Sequence, residues 1–164
     1  MKSKWFLAWG LAVLLFVNFA IWQKEHLLRS GRTVLLELAP VDPRSLMQGD
    51  YMILNYALLE QVRHVKEPAQ LVLENDERGV ARFVRVHEGT SLPPEAYLIK
   101  FKPDLGNGSI GAESFFFQEG DASLYDRAKY GELVVDQHGN SVLVGLRDEA
   151  LERLGPERQG GHSR

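Results

Sequence analysis

The chain has 164 residues, of which 25% are charged, and a net charge of −3. That length suits one modest domain plus an appendage, and that balance gives no electrostatic footing for nucleic acid. Cysteine is absent, which excludes disulfides, thiolate metal sites and a cysteine nucleophile but leaves the compartment open.

The appendage comes first. From Trp5 to Trp22 the sequence is apolar apart from Asn18, with Gly10 as a small-residue interruption. As a helix this stretch spans roughly 27 Å, close to a hydrocarbon core of about 30 Å. Trp5 and Trp22 stand at its two ends, where indoles prefer the membrane interface, and Trp9 lies one turn inside. A cleaved signal peptide would have a shorter apolar core and small residues at its end; here the end reads Phe19-Ala20-Ile21-Trp22. A buried helix of a soluble protein would not be apolar all round for so long. The expectation is an uncleaved transmembrane anchor over 1–24, touching lipid through Trp5–Trp22. Lys2 and Lys4 precede it, while Lys24, Arg29 and Arg32 follow, so charge decides orientation by a thin margin. The short N-terminal tail favours a domain outside the cytoplasm. Ala8 and Ala12 share a helix face, and with Gly10 and Asn18 they would let another helix approach closely.

Residues 25–32, with Ser30-Gly31, read as a linker. Thr33 to Ala39 reads as a strand. Asp42 can then cap a single helical turn, with Pro43 at its first position and Gly49 supplying the left-handed backbone that ends it. From Asp50 onward the residues favour extended backbone. Met52, Leu54 and Tyr56 fall on one face, Tyr51, Ile53 and Asn55 on the other. Both faces are largely apolar, so this strand is expected to have cover on both sides. Ala57 to Lys66 suits a short helix as well as a strand. Gln70–Glu74 and Val80–His87 form a hairpin across Asn75 to Gly79, its second arm partly exposed because Arg82 shares a face with valines. Tyr97–Lys102 and Ser114–Gln118 are further strands, and Asp121 caps a short helix reaching about Lys129. Glu132–Asp136 and Ser141–Leu146 make the last hairpin, turning on Gln137 to Asn140. The expected fold is mainly β: one antiparallel, barrel-like domain over 33–148 with one or two short helices, then a charged tail over 149–164 that frays after Leu154.

A family resemblance rests on the middle of the chain. Gly49-Asp50-Tyr51, Leu54 and Tyr56 match, position for position, the pattern that names the GDYXXLXY family of bacterial membrane-anchored proteins, and Asp42-Pro43-Arg44 resembles its lead-in. Glu113-Ser114-Phe115-Phe116-Phe117-Gln118-Glu119-Gly120 resembles its second block, an aromatic run ending in Glu-Gly. Gly131 to Leu146 resembles its closing hairpin. What the resemblance implies is a membrane-anchored protein with no established activity, encoded beside polytopic membrane proteins of equally unknown function.

Candidate chemistry is sparse. Membrane-anchored serine proteases like type I signal peptidase carry their nucleophile about two helical turns before a Gly-Asp; here those positions hold Pro40 and Val41, which have no hydroxyl. Lys100 and Lys102 without a placed nucleophile are solvated strand charges. Asp50, Glu113, Glu119 and Asp126 could do acid–base work only if two of them converged. Asp50 is more simply a turn residue bonding nearby N–H groups, with Arg44 as a partner. His26, His64, His87, His138 and His162 show no ligand spacing, so neither a metal nor another cofactor is implied. Phe115, Phe116 and Phe117 read either as a strand buried on both faces or, with Glu119, as a wedge that meets a membrane or a partner. The expected function is a single-pass module outside the cytoplasm that binds or stabilises a polytopic membrane protein. The alternatives are a membrane-anchored hydrolase using the Asp50 and Glu119 region, and a ligand-binding sensor domain.

Overall fold

Helix α1 runs from Lys2 to Ser30. At 1.5 Å per residue its 29 residues extend about 43 Å; of the residues expected as a linker, 25–30 continue this helix and Arg32 already opens the first strand. Its large apolar side chains point outward in every direction: Phe6, Trp9, Leu15, Phe16 and Trp22 are all more than half exposed. One stretch of it, Trp9–Ser30, is long and apolar enough to cross a membrane. Asn18 donates through Nδ2 to the Leu14 carbonyl at 2.8 Å, so its amide is engaged by its own helix. The chain divides into two units, Met1–Gly31 and Arg32–Arg164. The computed structural model describes residues 2–39, 47–48, 51–104, 106 and 108–155.

Among the described residues the second unit has ten strands. β1 (Arg32–Glu37), β4 (Ala69–Asn75), β5 (Val80–Val86), β6 (Tyr97–Phe101), β8 (Tyr130–Val135), β9 (Ser141–Arg147) and β10 (Arg153–Leu154) form a seven-stranded sheet in the order β10-β9-β8-β1-β5-β4-β6. All neighbours are antiparallel except β1 and β5, which run parallel. β2 (Met47–Gln48), β3 (Tyr51–Ile53) and β7 (Ser114–Phe116) form a second, three-stranded antiparallel sheet. Among the described residues the unit also has two short helices, α2 (Ala57–Gln61) and α3 (Ala122–Tyr125).

Side-chain alternation sets which face is covered. On β1, Val34 and Leu36 are buried; on β4 and β6, so are Leu71, Leu73, Ile99 and Phe101. These meet Met52, Leu54, Tyr56, Leu58, Leu59, Val62 and Phe115 in one contiguous core. Thus the small sheet and α2 cover one face of the large sheet. β8, an interior strand between β9 and β1, is buried along its whole length, and charged side chains help cover its second face. The Arg78 guanidinium lies 5.8 Å from the Tyr130 ring centre, and Arg147 and Arg153 lie against Glu132.

The sheet is not closed into a barrel, contrary to the barrel-like expectation. Its far edge is nonetheless touched by the tip of the β8–β9 hairpin. The Lys100 N–H on β6 donates to the Gly139 carbonyl at 2.8 Å, Lys100 Nζ to Asn140 Oδ1 at 2.7 Å, and Gln70 Nε2 to the His138 carbonyl at 3.1 Å. The curl that brings the hairpin tip across stops at this seam, because only the turn pairs with β6.

Three hairpin turns repeat one device. Asp76, Asp136 and Asp148 each accept, through Oδ1, the backbone N–H groups two and four residues further on. The fourth residue of each turn has positive φ: Gly79, Gly139 and Leu151. Such turns end in a left-handed residue, for which glycine is the easy choice. Leucine in the third turn hides it from sequence reading, so the turn and β10 (Arg153–Leu154) within the charged tail are not anticipated by the sequence pattern. Other expectations also shift. Asp121 stands at the start of α3 without a side-chain cap, and the helix stops at Tyr125 rather than near Lys129. The Tyr51–Tyr56 strand is covered on one side only: Met52, Leu54 and Tyr56 are buried, whereas Ile53 is 39% exposed.

Gly79 and Gly139 have the same φ of 79°, but a Cβ on Gly79 would meet nothing within 4 Å, while one on Gly139 would lie 3.1 Å from Lys100 N and 3.3 Å from Ile99 C. Gly79→Ala should therefore cost only the backbone strain, about 1 kcal/mol. Gly139→Ala should cost distinctly more, because β6 backbone must move as well. Denaturant unfolding of the two variants checks the difference; equal losses would show that the seam does not constrain the hairpin.

Candidate functional site

Of the motif residues, Gly49 and Asp50 lie outside the described residues, as do Asp42, Pro43 and Arg44. Tyr51, Leu54 and Tyr56 can be placed. Leu54 is buried, and its N–H donates to the Glu113 carbonyl at 2.7 Å, prolonging the β3–β7 ladder by one pair. Tyr56 then leaves the small sheet and bridges to Leu38, just past β1. Its ring is 1% exposed, and its hydroxyl donates to the Ala112 carbonyl at 2.7 Å. Burial, with the Glu113 carboxylate adding to it, pushes the phenol far above its ordinary value, so it stays protonated. A Cβ on Gly131 of β8 would come within 3.0 Å of the Tyr56 ring; glycine there makes room for it. Tyr56 is thus a core side chain that ties small sheet to large.

The aromatic run obeys strand alternation. Phe115 is buried and meets the Tyr125 ring edge-on at 4.9 Å; Phe117 is half-buried and meets the same ring at 5.5 Å. Phe116 points the other way and is 67% exposed, 5.7 Å from the Tyr51 ring. The run is therefore not buried on both faces. Glu119 is exposed in the turn that follows. The outer face of the small sheet carries Tyr51 opposite Phe116 and Ile53 opposite Ser114, a solvent-facing apolar strip.

Beside this strip lies a half-open cleft of about 260 Å³. One wall is the run from Phe115 to Gln118, and the other is Val144 and Gly145 of β9 with Arg153 and Leu154 of β10. Asp121 and Tyr125 also line it. Behind the second wall, the buried carboxylate of Glu132 receives Arg147 Nη2 at 3.0 Å and Nε at 3.3 Å, while Arg153 Nε stands 3.7 Å away. Arg153 Nη2 also donates to the Val144 carbonyl at 2.8 Å. A Cβ on Gly145 would lie 3.0 Å from Arg153 Nε and 3.2 Å from Glu132 Oε2, so glycine lets the guanidinium cross the strand. Reading the sequence missed Glu132, Gly145 and Arg153. The signal that could have found them was a lone glycine inside a strand, which marks a close approach.

Several other carboxylates serve turns. Glu113 Oε1 accepts the N–H groups of Ile110 at 2.6 Å and Gly111 at 2.8 Å. Burial works to raise its carboxyl, but the Ser109 hydroxyl and those N–H groups hold it below the ordinary value. Burial likewise opposes ionisation of Asp136, and the Asn140 side chain and N–H, then the His138 N–H, overcome it. Asp76 is lowered chiefly by the Val80 N–H. Among the described residues no group of three or more His, Cys, Asp or Glu is placed to hold a metal ion.

A carboxyl held lower in the folded chain than in the unfolded one stabilises the fold above its unfolded value of about 4, and that contribution is lost as pH falls through the folded value. Thermal unfolding should therefore show lower stability at pH 3 than at pH 7. Asp136→Ala should lower Tm clearly at pH 7 and much less at pH 3. An Asp136→Ala penalty that is the same at both values would show that the carboxylate charge is not what the turn uses.

No curated protein and no solved structure matches the chain. A family model described as GDYXXLXY protein matches residues 13–146, from within α1 to Leu146 near the end of β9. With the motif strand, the aromatic run and the closing hairpin all inside that match, the chain belongs to the GDYXXLXY family, whose function is unknown.

Proposed function

We propose that this chain is a single-pass, membrane-anchored module whose β domain lies outside the cytoplasm and binds or stabilises a polytopic membrane protein. The observation that carries the reading is the outer face of the small sheet, where Phe116 and Ile53 are exposed and the half-buried Tyr51 lies between them, opposite Phe116. Contiguous apolar strips of this kind mark interaction surfaces. An α1 that is apolar all round supports residence in lipid, where the partner would be found. Lys2 and Lys4, just ahead of the apolar stretch, support the orientation. The hydrolase alternative gains nothing from the described residues, since Glu119 is exposed in a turn.

The tagged full chain, extracted from its native membranes in mild detergent, should bring down a multi-spanning protein in simple stoichiometry. Ile53→Asp should reduce that recovery at least tenfold without changing Tm. Val84→Asp, at an exposed position on the large sheet, should leave it intact. Absence of a partner, or equal recovery with Ile53→Asp, would sink the proposal. A reporter fused after Leu154 that is active only in the cytoplasm would reverse the orientation.

A further inference from the structure

The cleft beside the small sheet touches four consecutive residues of one extended segment, 115–118. Side chains along a strand alternate between faces, so a cleft that meets consecutive residues looks at the strand's edge. The same holds opposite, where it meets the neighbours Arg153 and Leu154. β7 and β10 are the end strands of their sheets, so the cleft separates two strand edges.

Hydrogen-bond alternation says which groups these edges present. In an antiparallel pair, bonded and non-bonded residue pairs alternate. The Leu54 N–H donates to the Glu113 carbonyl, which makes Met52 and Phe115, two residues along, a bonded pair. Phe116, opposite Tyr51, is then non-bonded, and its N–H and C=O point away from β3. On the other side the Asp148 N–H donates to the Glu152 carbonyl, which leaves Arg153, opposite Arg147, with its backbone groups pointing away from β9. Neither the Phe116 nor the Arg153 backbone N–H meets a partner among the described residues. Two strand edges with unmet backbone groups, flanking an aromatic-walled cleft, are what an added strand needs.

We propose that this cleft receives an extended, apolar segment of the membrane partner, which adds as a strand to the edge of β7 and faces β10 across the cleft. The inference rests on the partner-binding reading above and names the element the partner presents. The walls define its chemistry: Phe117 and Tyr125 call for a bulky apolar side chain, while Gln118, Asp121 and Arg153 favour polar groups at either end. The segment Pro-Glu-Arg-Gln-Gly-Gly-His-Ser-Arg that follows Gly155 has no bulky apolar side chain and does not fit that chemistry.

Amide hydrogen exchange on the full chain in detergent, alone and with the co-purified partner, tests this. Alone, the Phe116 and Arg153 amides should exchange quickly; in the complex the Phe116 amide should slow by at least a hundredfold, as a new ladder bond forms. Unchanged Phe116 exchange with the partner bound would overturn strand addition and leave the partner reading standing. Failure to recover any partner would overturn both. Protection that grows with protein concentration in the absence of a partner would assign the cleft to a second copy and overturn the proposal. Variants give an independent readout. Phe116→Ala and Phe116→Pro both remove the ring, but only proline removes the outward N–H, and proline is tolerated on an edge strand. Partner recovery should fall at least tenfold further with Phe116→Pro than with Phe116→Ala at equal Tm; equal recovery would contradict the proposal.

Discussion

The Tyr56 hydroxyl donates to the Ala112 carbonyl inside a core that excludes water, and its ring lies in the space that Gly131 leaves open. A buried phenol without an acceptor would cost about 1–3 kcal/mol, so the bond fixes where the chain from Ala112 to β7 can run. Leu54, two residues earlier, holds the Glu113 carbonyl in the same way from its backbone. Together the two motif residues pin the segment that carries the aromatic run against the large sheet. The outer strip, the cleft and α3 all take their positions from that segment. In this reading the motif is a structural clamp, and the surfaces available for recognition lie at its margins.

Much of the strand pattern was legible because the side chains alternate cleanly. Leu71, Leu73, Ile99 and Phe101 face inward as their spacing requires, and the hairpins at Gly79 and Gly139 announce themselves by an Asp three residues before the glycine. The third turn was not legible, since Leu151 takes a conformation that sequence reading assigns to glycine. Nor was the order of the strands: a parallel β1–β5 pair between two antiparallel groups depends on long-range packing that no local pattern carries.

The cleft was the least legible feature. Its second wall comes from β9 and β10, thirty residues beyond the aromatic run, and its polar backing from Glu132 on β8. Glu132 and Arg153 each read in isolation as an ordinary strand charge. Only the pairing of β8 with β9, with Glu132 opposite Gly145, brings carboxylate, guanidinium and glycine together. The aromatic run pointed towards the site but suggested the wrong burial, because three phenylalanines in a row look uniformly apolar while their backbone alternates. Phe116 stays exposed for that reason alone.

Tyr56→Phe tests the clamp most directly, since it deletes one oxygen and leaves the ring. The account predicts a loss of unfolding free energy of about 1–2 kcal/mol, from the Ala112 carbonyl left unpaired in the core, with partner recovery from membranes unchanged once compared at equal folded fraction. Wild-type stability together with lost partner recovery would contradict it, and would move the motif from scaffold to binding site.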